Sequence, residues 1–155
     1  MAIGADDAIW KFGTQDEVTV ASPSSVAADG VSTSSDVTSW TNDDDAPVAA
    51  AVLNAAWTTA PGAGETVSLY AQLEDVESTN DMPGIDANFA GIYLGDFLVD
   101  AVGSSTEQYL VLPDFPLPCV TTSQKILFFI KNYTAQSINA GWDLYITPKT
   151  PGPHS

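Results

Sequence analysis

The run KILFFIKN at residues 125–132 limits the fold of this chain more than any other stretch. Side chains alternate between the two faces of a strand, so Ile126, Phe128 and Ile130 share one face while Leu127, Phe129 and Lys131 share the other. Both faces are apolar for most of the run, which suits a strand inside a sheet that is covered on both sides. After a connection over residues 132–141, rich in Asn, Thr, Ser and Gly, a second run begins. There Trp142, Leu144 and Ile146 fall on one face and Asp143, Tyr145 and Thr147 on the other, the alternation of a half-buried strand. Pro148 has no N–H to give a ladder and is expected to end that run. The connection has the length of a loose hairpin, so the two runs are expected to form the closing hairpin of a β-sandwich.

Other strand signals are spread along the chain. Residues 17–21 (EVTVA) make a short strand. Residues 47–58 (PVAAAVLNAAWT) are alanine-rich enough to propagate a helix, but Val52 and the flanking prolines favour a strand, small on both faces apart from Leu53 and Trp57. Such a strand suits close packing under a bulky opposite sheet. Residues 61–64 (PGAG) are a turn. Residues 66–75 then alternate cleanly, with Val67, Leu69, Ala71 and Leu73 inward and Ser68, Tyr70, Gln72 and Glu74 outward. These two runs are expected to pair as a hairpin.

A polar loop at 77–88 with Pro83-Gly84 follows, then a strand over 89–100 in which Gly91 and Gly95 allow a bend, a bulge or a close backbone approach. Residues 108–112 (QYLVL) form a further strand, and Pro113, Pro116 and Pro118 beyond it argue against ladder pairing. Residues 22–39 are dense in Ser, Ala, Asp and Thr, with only Val26, Val31 and Val37 as apolar punctuation. That composition favours turns and edges and offers a core little. About eight strand-like runs and no convincing helix point to an all-β chain, an antiparallel β-sandwich whose long connections suit a jelly roll.

At 155 residues the chain fits one domain, able to bury about two thirds of its unfolded surface. It divides into an extended N-terminal arm (1–16), the sandwich (17–148) and a flexible Pro-rich tail (149–155). The arm carries Ile9, Trp10 and Phe12 close together. Either they pack back on their own domain or they dock on a neighbour, as aromatic anchors do at interfaces. They are the candidate partner-binding residues. Four lysines and no arginine face 20 acids, a net charge of −16. Such a surface repels phosphate backbones and anionic headgroups, so neither nucleic acid nor membrane is an expected partner. No segment has the length of a membrane span, and the start MAIGADDAIW lacks the basic and apolar regions of a secretory signal.

The sequence offers chemistry little. Cys119 stands alone, so no internal disulfide forms, and a buried small hydrophobe is its expected role. The single histidine, His154, lies in the tail, which leaves a thiol or serine nucleophile without a base. No phosphate loop, cysteine pair or histidine metal motif is present, and no enzymatic activity, cofactor or metal is expected. Asp43, Asp44 and Asp45 could meet a hard cation, but the spacing is not that of a calcium loop, and a solvated acidic turn is the plainer reading. With 20 acids, near pairs such as Asp96 with Asp100 arise by chance. Trp40, Trp57, Tyr93 and Trp142 could stack on sugar rings in a carbohydrate-binding module. The alternative is core packing, most plainly for Trp57 and Trp142, which lie in alternating runs.

The C-terminal third, with YLVLPDFPLP, ILFFIKNYT and AGWDLYITP, resembles small virion proteins of tailed bacteriophages, in particular head decoration (cement) proteins of jelly-roll type. The resemblance implies a structural protein of the virion, assembled in the host cytoplasm and seated on the capsid surface. It implies the major capsid protein as partner, self-association as a homotrimer, and reinforcement of contacts between capsid subunits. A tail- or fibre-associated virion protein shares most of these features. Residues 21–39 have no counterpart in that resemblance.

Overall fold

A computed structural model describes residues 8–74, 85, 91–118 and 125–153, without the side chains of Ala8, Ile9 and Pro153. Cys119, His154 and the 77–88 loop apart from Ile85 lie outside the described residues, as does the start of the strand expected from residue 89. The described residues form nine strands: β1 (Ala8–Phe12), β2 (Asp16–Glu17), β3 (Trp40–Thr41), β4 (Val48–Ala55), β5 (Thr66–Glu74), β6 (Ile92–Leu98), β7 (Gln108–Pro116), β8 (Lys125–Asn132) and β9 (Asp143–Pro153). No helix occurs among them.

The strands build two antiparallel sheets packed face to face. Sheet 1 runs β1-β9-β4-β7, with β2 following β1 along the same edge of β9, and sheet 2 runs β3-β8-β5-β6. From β2 onward, each successive described strand changes sheet, except that β5 and β6 are neighbours. That alternation is the jelly-roll winding, and the expected β-sandwich is present.

The two hairpins expected from chain order are absent. β8 pairs with β3 and β5, whereas β9 pairs with β1, β2 and β4. β4 likewise pairs with β7 and β9 and never with β5. Residues 132–141 therefore cross the gap of about 10 Å between stacked sheets instead of reversing within one. Periodicity reports which face of a strand is buried and is silent on which sheet the strand joins.

The crossing is tightly bonded. The Asn132 side chain is fully buried; its Nδ2 donates to the carbonyls of Val26, Ala27 and Gln136, and its Oδ1 accepts from the Thr134 amide at 3.1 Å. Thr134 Oγ1 in turn accepts from Trp57 Nε1 at 3.0 Å. Residues 22–39 contribute more than their composition promises. Val26 and Val37 are buried, and Ser32 and Gly30 pair with Ile130 and Asn132 along the edge of β8 beyond β3. Asp36 anchors the segment by accepting from the backbone of Ser24 and from the backbone and hydroxyl of Thr33.

The core lies between the sheets. Ala49, Ala51, Leu53 and Ala55 face inward from β4, small apart from Leu53, and share the core with Ile126, Phe128 and Ile130 of β8. Phe128 meets Trp40 at 5.8 Å and Phe115 at 6.4 Å between ring centroids. Gly95 marks a bulge in β6, and a side chain there would press on Leu112 of β7 at 2.8 Å. Both faces of β8 are buried as its pattern requires, and so are both faces of β5 from Val67 to Gln72. Ser68, Tyr70 and Gln72 do point outward from the sheet as their alternation implies, but they are buried there, with Tyr70 beside Phe129 on that face.

The prolines sit where ladders tolerate them. β7 continues through Pro113 to Pro116 because it is the outermost strand of sheet 1 and can leave its free side unpaired. β9 runs through Pro148 as well. The Pro148 carbonyl accepts from Gly13 N at 2.8 Å, so its nitrogen faces the same side, where the chain breaks between β1 and β2 and no acceptor needs it. By alternation Pro151 and Pro153 point away from β1. Residues 149–153 are thus part of a strand, and their partner is the segment set apart as an arm. β1 pairs with them from Phe12↔Lys149 to Ala8↔Pro153.

Candidate functional site

Directly opposed residues of antiparallel strands point to the same face. That rule places the residues of sheet 1 that look away from the core. Val52 lies between Val111 and Tyr145, Asn54 lies between Tyr109 and Asp143, Glu17 opposes Tyr145, Phe12 opposes Lys149, and Trp10 opposes Pro151. No further layer of described residues covers this face. Trp10 is 53% and Phe12 68% exposed, and Tyr109 and Val111 are exposed to a similar degree. The face extends for eight positions along β9, roughly 27 Å at the rise of an antiparallel strand.

Lys149 ties the face together. Its ammonium donates to the Pro113 carbonyl at 2.8 Å, pairs with Asp114 and sits 5.0 Å from the centre of the Phe12 ring. To reach β7 from β9 the side chain must cross β4, whose outward residues there are Val48 and Ala50. A small alanine leaves that path open. The lysine therefore fixes Phe12 to the sheet, and only its stem and head, not a second layer, lie over the strands.

Acids rim the opposite end. Burial, together with Glu17 and then Glu107 nearby, raises the Asp143 carboxyl above the usual range in spite of a hydrogen bond with Asn54. Burial and the charges of Asp143 and Glu17 likewise raise the Tyr145 phenol. The face thus carries exposed aromatic residues toward both ends, Trp10 and Phe12 at one and Tyr109 at the other, with carboxylates at the second margin.

Of the three residues singled out in the arm, the structure brings Trp10 and Phe12 onto this face. The Ile9 backbone pairs with Gly152, and its side chain lies outside the described residues. Sequence reasoning missed Tyr109, Val111 and Lys149. The signal for the first two was present in QYLVL, where Tyr109 and Val111 alternate with Leu110 and Leu112, apolar on both sides of a strand that turns out to be at an edge. Nothing in the sequence signalled the reach of Lys149.

The three tryptophans considered for sugar stacking are buried, and each indole N–H is bonded internally: Trp40 to Asp16, Trp57 to Thr134, Trp142 to the Ser24 carbonyl. Tyr93, the fourth, is exposed on β6. Asp43 to Asp45 lie in a turn closed by Asn42, whose side chain exchanges hydrogen bonds with the backbone of Ala46 at 2.9 Å each way. Among the described residues no group of three or more His, Cys, Asp or Glu is arranged to hold a metal ion. No protein-family model matches the chain, and no curated protein matches its sequence.

Proposed function

We propose that this protein is a structural subunit of a virion, docking through the outer face of sheet 1 onto the outer surface of a capsid and stabilising contacts between major capsid protein subunits. The observation that carries the docking role is the exposed aromatic pair Trp10 and Phe12, paired into the sheet on the same outward side as the exposed Tyr109 and Val111. Large exposed apolar side chains are costly unless they meet a partner, and exposed apolar patches mark interaction sites. Beyond Lys149 the β1–β9 pair has no third strand among the described residues, since β4 begins opposite that residue. Two-stranded ribbons are marginal alone in water, and a partner surface beneath Trp10 would stabilise this one. The capsid as partner follows from the resemblance of the C-terminal third to head decoration proteins.

The test is co-sedimentation with expanded heads of the phage that encodes the chain. Trp10→Ala with Phe12→Ala is expected to weaken decoration at least tenfold while leaving the melting temperature nearly unchanged. Decoration by the double variant as tight as wild type would remove the face from the account. With a net charge of −16, contact with a basic capsid patch should weaken as salt screens it. Light scattering is expected to report a homotrimer, since closed symmetry is the usual oligomer plan and suits three-fold positions on a head.

A further inference from the structure

The outer face of sheet 2 points away from sheet 1 and carries a different set of side chains. Register places Lys131, Ser68 and Asp96 in one row across β8, β5 and β6, with Phe129, Tyr70 and Tyr93 in the next. Tyr133 follows β8, its amide bonded to the Thr66 carbonyl at 3.0 Å. Two phenols stand out from this face, Tyr93 at 55% and Tyr133 at 42% exposure, while Tyr70 between them is 8% exposed.

Their orientations are fixed. The Tyr70 ring meets Tyr93 at 5.5 Å, edge to face at 63°, and its hydroxyl lies 3.4 Å from that of Tyr133. The Lys131 ammonium sits 4.7 Å from the centre of the Tyr133 ring. Ser68 Oγ donates to Asp96 Oδ1 at 2.5 Å, and Asp96 also takes a hydrogen bond from Tyr93, which is the first cause raising that phenol. Burial, then the bond to Tyr133, pushes the Tyr70 phenol up to about 12, whereas the same bond and Lys131 lower Tyr133. Either hydroxyl of the Tyr70–Tyr133 pair can be the donor.

A sugar ring has an apolar C–H face and a rim of hydroxyls. It is held by an exposed aromatic ring beside polar groups that do not have to be ordered on binding. Here Tyr93 offers an exposed ring, Asp96 an acceptor anchored by Ser68, and the Tyr133 hydroxyl a further hydrogen-bonding group, while Lys131 lies over the Tyr133 ring. The carboxylate and the chain's net charge of −16 disfavour sialylated, sulfated or phosphorylated ligands. We propose that the Tyr93–Asp96–Tyr133 face of sheet 2 is a binding site for neutral glycans, with a pyranose ring against Tyr93 and its hydroxyls bonded to Asp96. Because the two outer faces of a sandwich are opposed, a chain docked by sheet 1 would display this site outward. The glycan site does not depend on that docking.

The experiment is a printed array of neutral and anionic glycans probed with the full chain, followed by NMR titration with the neutral oligosaccharide giving the strongest signal. Binding to neutral glycans is expected, at least tenfold weaker in Tyr93→Ala and in Asp96→Asn, and unchanged in the Trp10→Ala, Phe12→Ala chain. Tyr93→Leu keeps apolar bulk at an exposed edge position and loses the ring, so it repeats the test should Tyr93→Ala fail to fold. No neutral glycan bound at millimolar concentration, binding confined to anionic glycans, or affinity unmoved by Tyr93→Leu and Asp96→Asn would each overturn the proposal. Failure of capsid binding with glycan binding intact would count against the docking face alone.

Discussion

The two outer faces of the sandwich differ in how they are finished. On sheet 2 the outward residues Leu127, Phe129, Tyr70 and Gln72 lose nearly all contact with water, and Tyr70 packs its ring against Tyr93 and shares a hydrogen bond with Tyr133. On sheet 1 the equivalent positions are small or exposed, and one lysine spans them. A strand that is apolar on both sides needs cover on both sides, and β8 obtains it within the chain. The outward aromatic residues of β1 and β7 do not, and they stay exposed among the described residues.

Truncating each face measures that difference. Phe129→Ala should cost about 3–5 kcal/mol in chemical denaturation, because it empties a filled site. Tyr109→Ala on the open face should cost no more than about 0.5 kcal/mol, as for surface changes. Equal costs would mean that sheet 1 is covered within the monomer after all.

Asp36 and Asp143 give the next contrast. Asp36 is buried, which by itself raises its pKa, but the bonds from Ser24 and Thr33 outweigh burial and hold it below the usual carboxylate range. A depressed folded pKa contributes stability that is present above the unfolded pKa and lost as pH falls through the folded value. Asp36→Asn should therefore destabilise at neutral pH by about 1–3 kcal/mol, the size of losing bonds to a buried charged group. The gap from wild type should narrow in acid. Asp143 has the opposite sign: with a raised folded pKa, its ionised form is disfavoured in the native state, and protonation relieves that. Asp143→Asn should stabilise slightly at neutral pH, by a few tenths of a kcal/mol as for exposed charges. Denaturation midpoints followed from neutral pH to pH 3 would separate the two.

The smallest effect is local. Lys149→Met removes the pairing with Asp114 and the cation over Phe12, while keeping most of the stem that crosses β4. Global stability should fall by about 1 kcal/mol or less, but amide exchange in residues 8–12 should speed up while that of β4 stays slow. Unchanged exchange in β1 would show that the backbone pairing alone holds the arm.

Much of the fold was legible because burial has a period. KILFFIKN gave a doubly covered strand, residues 142–147 a half-covered one, and Trp57 and Trp142 fell in the core as their positions in alternating runs suggested. Gly95 proved to be a bulge with a close contact, as a glycine inside a strand pattern implies. The hairpins were misread since adjacency in sequence favours pairing in general, and a jelly roll breaks that tendency at almost every step. The prolines were misread because a missing N–H matters only on the side of a strand that has a partner.

The candidate faces were legible only in part. Trp10 and Phe12 could be singled out as aromatics in an acidic, irregular segment, and Tyr93 as one aromatic among four. Their neighbours could not, because Lys149 is brought to Phe12, and Tyr133 to Tyr70, from segments distant in sequence. The sequence alone determined that the chain is β-structured, that its core is built from apolar residues at the alternating positions of its strands, and that it is strongly acidic. Those are local or additive properties. Only the tertiary structure decided which strands share a sheet, that arm and tail pair with each other, and which outer face remains open, because each depends on register between segments that no local pattern links.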